Sequence, residues 1–319
     1  MTAPVERAAL VALLRSLPRG GRWSDVTESL LKHGSAEIAW ETGLKGSDGD
    51  DGDDGALFGA EQLPEARDDL NALYREALRD VSAWDAAGLR MVTILDHEYP
   101  ARLREIHQAP PFLFAIGTIR AEDPAIAVVG SRKASPTGVR AATSIATELI
   151  QAGVTVLSGL ADGIDAAAHQ AALAAGGRTV ALIGTGITRY YPAKNRALQD
   201  TIADRGLILS QFWPDGPPQR HNFLMRNAVM SGYGHATVVV EAGENSGARA
   251  QARMAVEHGR PVVLTKDVVD KNEWAQRLVD RPGVYRASNT AEVMGHVHRF
   301  LRRDDSVEDV LAGLRGGGL

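Results

Sequence analysis

Apolar residues recur at helical spacing over residues 5–17 and 25–40, and Asp25 followed three residues later by Glu28 is a helix-start pattern. Two short helices are expected there, and a third over 64–87, opened by Pro64 and closed by Gly88. From residue 89 the pattern changes to short β-branched runs, the first being Met91–Leu95. Six more runs predict strands at 126–129, 154–157, 179–183, 207–209, 236–241 and 261–265, with helices near 137–151, 164–175, 194–204, 222–231 and 248–258 between them. Runs that are apolar at nearly every residue belong to strands buried on both faces, and regular βαβ alternation requires parallel pairing with right-handed crossovers. The expected fold is therefore α/β: a doubly wound, mainly parallel Rossmann-like sheet over residues 89–302. A small helical domain (1–88) precedes it and a flexible tail (303–319) follows.

Composition narrows the chemistry. With 319 residues, 44% hydrophobic and 24% charged, a large core is available. The chain has no cysteine, which excludes disulfides, thiolate zinc sites and cysteine nucleophiles. Neither a signal-type start nor an apolar run long enough to span a bilayer is present, so a cytoplasmic protein without membrane contact is expected. Residues 46–55 read GSDGDDGDDG, an acidic loop with nothing to bury. It departs from a calcium loop, because counting from Asp48 the fifth place is Gly52; no metal is expected. Charge is uneven: residues 1–88 hold 9 Lys/Arg against 17 Asp/Glu, and residues 89–300 hold 23 against 19. A domain at +4 binds phosphate through a local cluster and not through a global field.

In doubly wound sheets ligands bind beyond the carboxyl ends of the strands. The first predicted βα loop holds Gly130, Ser131, Arg132 and Lys133 ahead of Ser135-Pro136, where backbone amides and two cations at a helix start favour an anion. Ser158 and Gly159 follow the second strand, Gly184, Thr185 and Gly186 the third, and Ser246 and Gly247 the fifth. Any one such glycine is an ordinary turn; four on one sheet edge point to an anion site. Nicotinamide and P-loop patterns do not fit. After Gly184-Thr185-Gly186 the next required glycine is Arg189, and no Walker lysine loop occurs, so no cofactor is expected.

A series of short motifs runs along the chain: Tyr99-Pro100, Leu103, Pro110-Pro111, Val129-Gly130-Ser131-Arg132, Ser158-Gly159-Leu160-Ala161, Gly163-Ile164-Asp165 and Ala168-His169. It continues through Tyr191-Pro192 with Asn195, Asn222-Phe223, Arg226-Asn227, Val240-Glu241-Ala242 and Ser246-Gly247. In these residues the sequence resembles the DprA/Smf family of bacterial DNA-processing proteins. The resemblance implies a homodimer that binds single-stranded DNA and delivers it to a RecA-type recombinase during natural transformation and DNA recombination. Arg132, Lys194 and Arg226 are then the expected phosphate cations, with Lys133, Asn195, Asn227 and the glycine loops beside them. Tyr190, Tyr191 and Phe223 are candidates to stack on bases.

Several positions depart from the family pattern. Asp162 stands where arginine is usual, Ala228 replaces the second arginine of Arg-Asn-Arg, Gln211 replaces a glutamate, and Thr265-Lys266 replaces Pro-Gly. Arg220, Arg249 and Arg253 are candidates to compensate, and no winged-helix pattern follows residue 300. No complete catalytic motif appears, so a non-enzymatic protein is expected. His169, four residues after Asp165, reads as a structural histidine. The rival readings are a nucleotide-ligand sensor, a partner that restrains a toxin in a defence module, and a nucleotide phosphoribohydrolase. The last needs a Gly-Gly-x-Gly-Thr loop where this chain has Gly243-Glu244-Asn245-Ser246-Gly247.

Overall fold

The computed structural model describes residues 3–18, 22–45 and 65–302. The acidic tract 46–55, with the calcium question attached to it, and the tail 303–319 lie outside the described residues. Two compact units divide the chain, one reaching Ala115 and including Ile119–Ala121, the other made of Ile116–Thr118 and everything from Glu122.

The first unit holds α1 (Pro4–Ser16), α2 (Trp23–His33), α3 (Ala36–Lys45) and α4 (Glu65–Ala86). Proline at the start of α1 is preset for a helix, and Ala8–Leu14 supplies buried apolar residues. The Arg7 guanidinium grips Asp85 of α4 through two hydrogen bonds of 2.7 and 2.8 Å. Strand β1 (Arg90–Thr93) pairs antiparallel with β2 (Phe112–Gly117), Thr93 facing Phe112. Residues 89–115 group with the helices in this unit, past the boundary expected at residue 88. Aromatic packing explains this: Trp84 meets Phe114 edge-on at 5.1 Å and Trp23 lies 5.3 Å from Phe112.

The second unit alternates β3 (Ala125–Gly130), α5 (Pro136–Gln151), β4 (Thr155–Ser158), α6 (Ile164–Ala174), β5 (Thr179–Leu182), α7 (Arg196–Arg205), β6 (Leu207–Ser210), α8 (Arg220–Tyr233), β7 (Ala236–Glu241), α9 (Gly247–Glu257) and β8 (Val262–Thr265). Short helices α10 (Lys266–Lys271) and α11 (Glu273–Val279), strand β9 (Val284–Ala287) and a last helix over residues 290–302 complete it. The strands are parallel in the order β6-β5-β4-β3-β7-β8-β9, the doubly wound sheet that the alternation predicts. The chain winds outward from β3 to β6, returns to place β7 on the other side of β3, and continues to β9. The strand order therefore reverses between β3 and β7, where such sheets open a crevice.

One face of the sheet packs Val128, Val156 and Val238 against Ala142, Ile145 and Leu149 of α5, the alanines of α6, and Val293, Val297 and Phe300 of the last helix. Alanine-rich α6 lets this layer approach closely. Among the described residues no helix is long and apolar enough to cross a membrane.

Candidate functional site

A groove of about 960 Å³ opens at the switch point, between the β3–α5 loop, α8 and the β7–α9 loop. Gly130 ends β3. The Ser131 amide donates to the Glu241 carbonyl (2.7 Å) and the Ser131 hydroxyl accepts from the Lys133 amide (3.1 Å), a tight turn that leaves Arg132 and Lys133 exposed at the groove. Helix α8 lines the opposite side with Arg220, Phe223, Arg226, Asn227 and Met230, residues spaced three or four apart on one helical face. Ser246 caps α9 by accepting from the Ala248 amide (3.2 Å), and Gly247 and Gln251 extend this wall. The Tyr191 ring lies 5.5 Å from that of Phe223, and the Arg132 guanidinium 5.4 Å from the Phe223 centroid. Cations and aromatic faces therefore border one opening.

Beneath this surface the groove is ionic. Arg226 is 5% exposed and donates through Nη1 to the Leu182 carbonyl (3.0 Å). Its guanidinium lies on Gly159, where an added Cβ would stand 1.4 Å from Nη1. That position tolerates no side chain while Arg226 stays in place. Buried Asp165 accepts from the Gly159 and Ala161 amides at 3.2 and 3.3 Å. Burial raises its carboxyl pKa, while the Arg226 charge and these hydrogen bonds oppose the shift.

His169 is fully buried. The Thr179 hydroxyl gives its proton to the Val156 carbonyl (2.7 Å), so its oxygen accepts from His169 Nδ1–H at 2.7 Å. Burial, aided by the Arg226 charge, lowers its pKa from 6.5 to about 3. Between those values the unfolded chain binds the extra proton, so His169 makes stability fall with decreasing pH, by about 1.4 kcal/mol per unit. Asp165, raised by burial, acts with the opposite sign. His169→Gln should therefore flatten the fall in denaturation midpoint between pH 6.5 and 5, and an unchanged slope would disprove the assignment.

The structure brings together Gly130, Ser131, Arg132, Lys133, Tyr191, Phe223, Arg226, Asn227, Ser246 and Gly247. Other expected contacts lie off the groove. Ser158 is buried and donates to the Val128 carbonyl (2.7 Å); Thr185 is buried, its carbonyl accepting from Ser210 (2.6 Å). Gly184 lies under the Phe223 ring and the Gly186 amide donates to the Gly216 carbonyl (2.8 Å). Tyr190 donates to Asp200 (2.8 Å) beneath the Arg196 guanidinium. Lys194 pairs with Asp162 at 3.1 Å, and Asn195 donates to the Leu160 carbonyl (3.0 Å).

The α5 N-terminus, expected to receive an anion, is already filled by one. The Glu241 carboxylate accepts from the Ser135 amide (3.0 Å) and hydroxyl and lies against Gly138. Of the candidate compensating cations only Arg220 borders the groove, Arg249 donating to the Glu244 carbonyl (3.1 Å) and Arg253 pairing with Glu257 (3.3 Å). Sequence reading missed Gln219, Met230 and Gln251. The helical period through Phe223, Arg226 and Asn227 reaches Met230, whereas nothing local marks the other two.

The chain is 39% identical over 183 residues to the protein Smf of Synechocystis sp., covering 56% of this chain and 46% of that protein. It is 41% identical over 171 residues to the DNA processing protein DprA of Streptococcus pneumoniae, covering 53% and 60%. The matched region is thus about half the length of these curated relatives. A crystal structure of the pneumococcal DprA superposes with a TM-score of 0.69 at 27% identity, over 92% of this chain and 98% of that one. DNA processing protein A of Helicobacter pylori, whose structure addresses its single-stranded DNA binding mode, shares the fold with a TM-score of 0.59 at 23% identity, over 67% and 97%. Residues 90–293 match the model of DNA recombination-mediator protein A, and the chain belongs to that family.

Proposed function

We propose that this protein is a non-catalytic binder of single-stranded DNA that acts in DNA processing for recombination and transformation. The observation that carries this reading is the groove itself, with Arg132, Lys133 and Arg220 beside the aromatic pair Tyr191 and Phe223. Such cations hold phosphates of any sequence, and aromatic faces stack on any base. A duplex is too stiff and wide to offer its bases to such a groove, whereas a single strand exposes both base faces and backbone. The relatives named DNA processing proteins support the same role, and the Helicobacter pylori protein of this fold has a single-stranded DNA binding mode. Delivery of the strand to a RecA-type recombinase by a homodimer is part of the proposal.

The test is fluorescence anisotropy of labelled oligo-dT on the full chain, compared with free mononucleotides and dinucleotides as competitors. Oligo-dT should bind with an affinity that falls steeply with salt, and free nucleotides should not displace it. Tight binding of a nucleotide, with no oligo-dT binding at low salt, would replace this reading with the nucleotide-sensor one.

A further inference from the structure

The loop between β4 and α6 contains a residue in an unfavourable backbone form, and the side chain bonded to its carbonyl does not border the groove. Leu160 has φ +56°, in the left-handed region that side chains avoid, although its own side chain is fully buried. Its carbonyl is turned toward Asn195, whose Nδ2 donates to it at 3.0 Å. The Asn195 amide in turn donates to the Pro192 carbonyl (2.9 Å), so this short side chain is presented from a fixed backbone. On either side of Leu160, the Gly159 and Ala161 amides converge on Asp165. Gly159 is also the surface on which the Arg226 guanidinium lies. One residue farther on, Asp162 pairs with Lys194, a second tie to the same turn, Ala193–Asn195.

We propose that Asn195 is a positioning residue, which keeps Leu160 left-handed and thereby holds Gly159, Asp165 and Arg226 in the arrangement that shapes the groove. Without the Nδ2 donor the Leu160 peptide has a route back to negative φ. That rotation moves Gly159 from under Arg226 and turns the two amides away from Asp165. An aspartate at 195 has the same size but directs an acceptor at the Leu160 carbonyl, so it fails in the same way.

The binding part rests on the single-stranded DNA reading, and the loop part does not. Hydrogen exchange on the full chain tests the loop: Asn195→Ala should speed exchange of the Gly159 and Ala161 amides by about tenfold or more while leaving β3 and β7 protected. Unchanged exchange would overturn the proposal whatever the DNA result. In oligo-dT anisotropy, Asn195→Ala and Asn195→Asp should each weaken binding by about five- to tenfold, the size of one hydrogen bond. Leu160→Gly accepts φ +56° without strain, so in that background Asn195→Ala should cost less than about twofold. Equal losses in both backgrounds would instead mean that Asn195 touches the strand directly. If the parent chain binds no oligo-dT, the functional reading falls and the exchange result still decides the positioning role.

Discussion

Asp123→Ala should lower the unfolding free energy by about 3–5 kcal/mol, the usual cost of removing one partner from a buried ion pair. Asp123 is 6% exposed and precedes β3. Its carboxylate accepts from Arg178 Nε (2.8 Å), the Tyr233 hydroxyl (2.9 Å) and the Thr155 hydroxyl. Arg178 precedes β5, Thr155 opens β4 and Tyr233 ends the helix leading to β7, so one side chain joins the amino ends of four neighbouring strands. The Tyr233 hydroxyl is pushed well above its ordinary pKa, first by burial and then by the Asp123 charge. With alanine at 123, Arg178 loses its carboxylate partner while keeping the Thr118 carbonyl (2.7 Å), and Tyr233 loses its acceptor. For a domain of this size such a loss corresponds to a fall of roughly 10 °C in Tm. Chemical denaturation measures the difference, and a loss below about 1 kcal/mol would show that water replaces the carboxylate at no real cost.

That network is invisible in the sequence, where Asp123 is one acid in Ala121-Glu122-Asp123-Pro124 and its partners lie 32 to 110 residues away. The sheet was legible because its central strands are buried on both faces and leave uninterrupted apolar runs, such as Ala-Ile-Ala-Val-Val in β3. β9 escaped that signal. It reads Val-Tyr-Arg-Ala and only its first and last residues are buried, as befits an edge strand. β2 is absent from the expected strands, although Phe112, Leu113 and Phe114 are wholly buried. Its direction depends on pairing with β1, which a run of apolar residues does not encode.

The groove was legible for a different reason. In a parallel sheet every βα loop emerges on one edge, so glycines, hydroxyls and cations after successive strands must lie near each other. What each does within that edge depends on contacts distant in sequence. Glu241, which closes β7, occupies the α5 N-terminus 106 residues earlier, and no local pattern could show that this anion site is already taken. Asp162 reads in isolation as a repulsive charge beside phosphates. Its partner is Lys194, so one expected cation and one expected obstacle offset each other.

The three cations that remain at the opening set the largest functional effect. Arg132, Lys133 and Arg220 are exposed and border the groove, while Arg226 is committed to the Leu182 carbonyl beneath them. Each phosphate contact on a single strand releases about 0.7 of a condensed counterion, which near 0.1 M salt amounts to roughly fivefold in affinity. The triple Ala variant should therefore bind oligo-dT about a hundredfold more weakly, and its plot of log affinity against log salt should flatten by roughly two units. Oligonucleotides of different base sequence should lose the same factor, because phosphate contacts carry no sequence information. Lys194→Ala is the control. Its charge is already paired with Asp162, so the loss there should be smaller than for any single groove cation. Anisotropy titrations across a salt series decide the matter, and a triple variant that keeps the parental slope would place the strand somewhere other than this groove.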